Sequence, residues 1–142
     1  MKNHGFTLIE LVIVVMIIGI LVTVGYANYA NMNDRAREAG VRSNCHTVQT
    51  AAEDFSVQSS GVYPFDLSSV TPGGETIVDL LPNNVRLPNP FTAARTEPID
   101  GAAATKGQTG YQPILGAGGV PVGYTITGYG QVRVVATLRN GS

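Results

Sequence analysis

The apolar pattern divides the chain into three stretches. From Leu8 to Val24 nearly every position is Leu, Ile, Val or Met, interrupted only by Glu10, Gly19 and Thr23. No charged residue occurs between Leu11 and Asn33. As a helix those residues would span roughly 35 Å, enough to cross a hydrocarbon layer of about 30 Å. Asn28, Asn31 and Asn33, with Tyr26 and Tyr29, suit the interfacial end of such a span. Beyond Asp34 the pattern changes. Val41, Cys45, Val48, Ala52 and Phe55 recur at spacings of four and three, which is one face of a helix. Glu38 and Arg42 form an i,i+4 pair on its flank. Asp34–Gln58 contains no proline and only Gly40 among glycines. The pattern predicts one helix from about Phe6 to about Gln58, roughly 80 Å long. It is apolar all round in residues 6–33 and amphipathic in residues 34–60.

The third stretch, residues 61–142, predicts a head containing an antiparallel sheet. Gly61 suits a left-handed helix cap. Glu75–Leu81 reads as a short helix or turn stopped by Pro82, and Arg86–Thr92 as a proline-punctuated loop. Gly101–Gly110 is turn-rich. Tyr111–Leu115, Gly123–Thr127 and Gln131–Arg139 read as strands. Pro113 argues for an edge position. Period-two alternation places Val132, Val134, Ala136 and Leu138 on one face of the last strand. A sheet laid on the amphipathic half-helix gives an α+β fold.

Composition removes several function classes. The 142 residues suffice for one modest core. Nine Lys plus Arg stand against ten Asp plus Glu, so there is no basic footprint for nucleic acid. Cys45 is the only cysteine, which excludes an intramolecular disulfide, and on the apolar helix face it reads as a core residue. His46 beside it points about 100° away on a helix and reads as a surface residue. The sequence holds no metal-ligand cluster, no phosphate loop and no catalytic triad pattern, so neither a cofactor nor an enzymatic activity is expected. Glu53 and Asp54 are adjacent, diverge on a helix, and read as a solvated or interface flank.

Glu10 is the exception to the apolar run. An acidic residue costs about 3 kcal/mol at a bilayer centre and less near its edge. Leu, Ile and Val each return roughly 0.3–0.6 kcal/mol, so the segment inserts regardless. One reading is a secretory signal cut near Gly25-Tyr26-Ala27, releasing a soluble secreted binding domain that begins near Asn28. The other is that only Met1–Gly5 is removed. A new amine at Phe6 would then lie one helical turn from Glu10, near the positive end of the helix dipole. Buried charges are tolerated when paired, so this amine, on the same chain or on a neighbour, is a partner for the carboxylate.

Lys2-Asn3-His4-Gly5-Phe6-Thr7-Leu8-Ile9-Glu10-Leu11 resembles the leader and start of type IV pilins and their pseudopilin relatives. The resemblance implies cleavage between Gly5 and Phe6 by a prepilin peptidase, followed by N-methylation of Phe6. It implies that Glu10 sets register against the Phe6 amine of a neighbouring subunit. It also implies storage in the bacterial inner membrane, contact with the inner-membrane assembly machinery, and polymerisation with identical subunits into a filament on the cell surface. Where many relatives carry a proline eight residues after the glycine matching Gly19, this chain has Ala27. Gly19 and Gly25 remain as weak points of the helix. Tyr63-Pro64, Leu87–Phe91 and Gly110–Gly130 look like pilin-like head motifs. The Asp-rich calcium loop of the type II secretion pseudopilin is not seen near Leu138–Ser142, so a pilus subunit is the first expectation and a pseudopilin the alternative.

Overall fold

The computed structural model describes residues 6–140. It contains one long helix, α1 (Leu8–Gln58), and six strands. These are β1 (Leu87–Pro88), β2 (Arg95–Glu97), β3 (Ile99–Asp100), β4 (Thr109–Leu115), β5 (Pro121–Tyr129) and β6 (Val134–Arg139). The fold is α+β. The chain forms two compact units that divide between Arg35 and Ala36, two residues beyond the boundary suggested by the polarity change.

In the first unit α1 begins at Leu8, not at Phe6. Thr7 stops it there. The Thr7 carbonyl accepts the first helical hydrogen bond from the Leu11 amide, at 3.3 Å, while the Thr7 hydroxyl accepts from the Glu10 amide. From there to Val24 the large apolar side chains are all exposed. Gly19 and Gly25 lie within the continuous helix, and a methyl group at either would meet nothing within 4 Å. The Thr23 hydroxyl donates to the Gly19 carbonyl at 2.8 Å. This is a local way of satisfying a hydroxyl that has no water in an apolar setting.

The second unit is built on residues 36–58 of α1. Val41, Cys45, Val48, Ala51, Ala52 and Phe55 are buried, as the periodicity requires. Their partners are Tyr111, Tyr124 and Ile126 from the sheet and Leu67, Ile77, Leu81 and Leu87 from the intervening segments. Burial pushes the Cys45 thiol up to about 11. Gly128 allows β5 to approach the helix. A Cβ there would sit 2.7 Å from Cys45 Sγ and 2.8 Å from a Val41 methyl. After Gln58 the chain turns through Ser60 and Gly61, both with positive φ, and the Gly61 amide donates back to the Ser56 carbonyl at 2.8 Å.

The sheet order is β3-β4-β5-β6. β4, β5 and β6 are antiparallel, but β3 joins β4 in parallel, so the sheet is mixed where a wholly antiparallel one was expected. β4 is internal only at Gly110 and Tyr111, which pair with β3. Pro113 lies beyond the end of β3, where its missing N–H costs no ladder bond. The Arg86–Thr92 loop contains β1, which pairs with β2. Glu75–Leu81 is a turn held by Thr76 and Asp79, followed by a short 3₁₀ segment at Pro82–Asn84.

The last strand departs from simple alternation. Gly128 pairs with Ala136 and Tyr129 with Val134, leaving Val135 as the extra residue of a bulge. Ala136 and Leu138 keep the expected inward face. The bulge carries Val135 onto the core, whereas Val134 and Val132 are exposed. The Val135 carbonyl accepts from the Arg42 side chain at 3.3 Å.

Two acidic residues are part of the packing. Glu53 accepts from the Tyr124 hydroxyl at 2.6 Å and from the Tyr63 hydroxyl at 3.0 Å, so it belongs to the helix–sheet contact and not to a solvated flank. Asp54 is exposed. Glu97 is buried and accepts from Asn89 Nδ2, the Thr96 hydroxyl and the Thr109 amide. These donors satisfy the carboxylate and tie the β1–β2 segment to β4.

Candidate assembly site

The sequence directs attention to Gly5, Phe6, Glu10, Gly19 and Gly25. Gly5 lies outside the described residues. Phe6 precedes the helix and is 77% exposed. Glu10 occupies the third position of the first turn. Its Oε2 accepts from the Thr7 amide at 2.9 Å and from the Thr7 hydroxyl at 2.7 Å. The Glu10 amide in turn donates to the Thr7 hydroxyl at 3.3 Å. This is a reciprocal capping box. Thr-x-x-Glu at residues 7–10 is its ordinary sequence signature, so Thr7 was readable beforehand as the residue that holds Glu10.

The arrangement does two things. It satisfies the Thr7 and Glu10 amides, two of the donors at the helix start, which matters most where water is excluded. It also fixes the carboxylate at the N-terminal end of the helix dipole, where negative charge is favoured. Only Oε2 is engaged by these bonds. Oε1 has no hydrogen-bond partner among the described residues, so the carboxylate keeps acceptor capacity for a cation.

Behind this turn stands one helix long and apolar enough to cross a membrane. Leu8, Ile9, Leu11, Met16, Ile20 and Leu21 are each at least half exposed, and they lie on different sides of the helix. In water such a surface is strongly unfavourable, at about 25 cal/mol per Å² of apolar area. Lipid or other helices would remove that cost. Gly19 and Gly25 leave shallow gaps along this surface through which another backbone could approach. His46 is exposed and lies against Gln49, and Cys45 is buried about 100° around the helix, so the two contribute no joint site.

Comparison with known proteins agrees with this geometry. A prokaryotic N-terminal methylation motif matches residues 1–26. The chain is 39% identical over 77 residues to the type IV narrow pilus major component of Thermus thermophilus, covering 54% of this chain and 66% of that protein. It is 41% identical over 54 residues to the type IV major pilin protein of Myxococcus xanthus, covering 38% and 24% respectively. The chain thus spans less than two thirds of the length of both relatives. A probable minor fimbrial protein of Dichelobacter nodosus is 32% identical over 121 residues, covering 73% of this chain and 75% of that one. No solved structure matches. Because the fimbrial relative is matched over most of both chains, the likeness reaches well past the N-terminal motif, and the chain belongs to the type IV pilin family.

Proposed function

We propose that this chain is a structural subunit of a type IV pilus or a related extracellular filament. It is held in the bacterial inner membrane as a precursor and polymerised with identical copies through the first region of α1. The observation that carries this reading is the surface from Leu8 to Val24, apolar on all sides and covered by nothing among the described residues, with one carboxylate at its front. Prepilin peptidase cuts between Gly5 and Phe6, and Phe6 is methylated on its new amine. The inner-membrane machinery then moves the span from lipid into a bundle of identical helices. Glu10 offers its open oxygen to the Phe6 amine of a neighbour. A wrong register leaves that charge unpaired in an apolar bundle, at a cost of several kcal/mol. Gly19 and Gly25 provide the places where the helix yields as the bundle forms.

Intact-mass measurement on sheared surface filaments tests this directly. The expected species begins at methylated Phe6, whereas a species beginning near Asn28 overturns the reading. Glu10→Val should leave membrane insertion intact and abolish incorporation into filaments. Gly5→Glu should leave the uncut precursor in the membrane.

A further inference from the structure

Two features on the surface of the second unit leave large apolar side chains exposed. The first is the β5–β6 turn. Its tip is held by three hydrogen bonds: the Gly130 amide to the Arg133 carbonyl at 2.7 Å, the Tyr129 hydroxyl to the Val132 carbonyl at 3.0 Å, and the Gln131 amide to the Glu38 carboxylate at 3.2 Å. On this braced turn Val132 is 75% exposed and Val134 47%, with the exposed Arg133 between them. The bond to Glu38 anchors the tip at the start of this unit's helical segment.

The second feature is an open groove of about 480 Å³ at the other end of that segment. Phe55, Val62, Phe65, Val70 and Pro121 supply its apolar walls. Phe65 and Val70 remain more than half exposed. Its rim is acidic. Asp66 adjoins Phe65, and the Ser68 and Ser69 donors hold its carboxyl below the usual carboxylate range. Glu75 is exposed, and its backbone is bonded to Thr71, a wall residue. Between Ser43 and Val85 the sequence has Glu53, Asp54, Asp66, Glu75 and Asp79 and no Lys or Arg. No cation from this segment neutralises the rim.

An apolar tip bearing one cation and an apolar groove with acids beside it are complementary in polarity and charge. We propose that the Val132–Arg133–Val134 tip of one copy seats in the Phe55–Val62–Phe65–Val70 groove of the next, with Arg133 facing Asp66 and Glu75. This rests on the filament reading above. Glu38 and Phe55 are separated by about 26 Å along the helix, so the contact joins two different faces. A contact of that kind is head-to-tail, and extends as an open helix wherever the rotation between copies does not close a ring. It adds a second link between subunits, outside the apolar bundle.

Cysteine cross-linking in cells that assemble the full chain tests the seating. In a Cys45→Ala background, Val132→Cys combined with Val70→Cys should give a ladder of disulfide-linked multimers from sheared filaments after mild oxidation. Each single variant should stay monomeric. Arg133→Glu should lower filament yield about tenfold through like-charge repulsion, and adding Glu75→Arg should restore it. Normal filaments without a ladder overturn the seating and leave the filament reading standing. So does a Val132→Cys single variant that dimerises as strongly as the double variant, or a tip that cross-links to a different protein. If the unsubstituted chain yields no filament, both readings fall.

Discussion

From Leu8 to Val24, α1 carries large apolar side chains on every side, and all of them are exposed. Between Ala36 and Gln58 the same helix places Val41, Cys45, Val48, Ala52 and Phe55 on one side and buries them all. The difference lies in the arrangement of apolar residues more than in their presence. A stripe one side wide can be covered by a sheet of the same chain, and here β4–β6 cover it. A surface apolar all round cannot be covered by one sheet and needs a surrounding medium or several further helices. The second region therefore holds the fold together, while the first has value only outside the fold.

The sharpest way to break this comparison is to remove equal volumes from the two regions. Ile126→Ala, at a fully buried position, should destabilise the second unit by about 2–5 kcal/mol, read from urea unfolding of the full chain in detergent. Ile17→Ala, at a position 52% exposed, should leave that transition within about 0.5 kcal/mol. Equal effects from the two changes would mean that the first region supports the fold after all.

Adding a methyl group reverses the test. Gly128→Ala would push a Cβ into Cys45 and Val41 and should cost about 1–3 kcal/mol by the same measurement. Gly25→Ala meets open space and should favour the local helix by about 1 kcal/mol, visible as slower amide exchange around residue 25.

The pH dependence separates the regions in another way. Burial raises the Cys45 thiol from about 9 to about 11, so between those values the folded state binds a proton that the unfolded state has released. Stability should fall as pH rises through that window, by on the order of 2 kcal/mol, with no contribution below pH 9. Burial raises Tyr111 and Tyr124 as well, which steepens the loss above about pH 10. Unfolding at pH 7 and pH 10, with Cys45→Ala as the control, isolates the thiol. The smallest expected effect is in the first region. Thr7→Ala removes the capping box and should cost the first turn about 1 kcal/mol. It should appear as faster amide exchange at residues 8–11, without moving the urea transition.

Much of this was legible in the sequence because strong, uniform signals leave few alternatives. The length and polarity of α1, the buried stripe through Cys45, the Gly61 cap and the strand nature of β4–β6 all follow from local pattern. What escaped was set by distant partners. β1 and β2 are two and three residues long, too short to show a period, and exist through pairing with each other. β3 takes a parallel place that no hairpin logic predicts. Glu53 reads as a solvated or interface flank until Tyr63 and Tyr124, from later in the chain, arrive at its oxygens. Glu97 gives no local sign of burial, because Asn89 and Thr109 satisfy it from other segments. In the candidate assembly site Thr7 is different: its spacing to Glu10 is a local pattern, and the bonds between them are local too.

The bulge in β6 has a consequence for how such a chain can change over generations. One extra residue at Val135 uncouples the turn from the alternation that serves the core. Substitutions at Val132, Arg133 and Val134 alter what the molecule presents to its surroundings, while Ala136 and Leu138 continue to serve the interior undisturbed. The strand thus carries a boundary between heritable variation that rewrites the exposed surface and variation that would undo the fold, and the boundary is one residue wide.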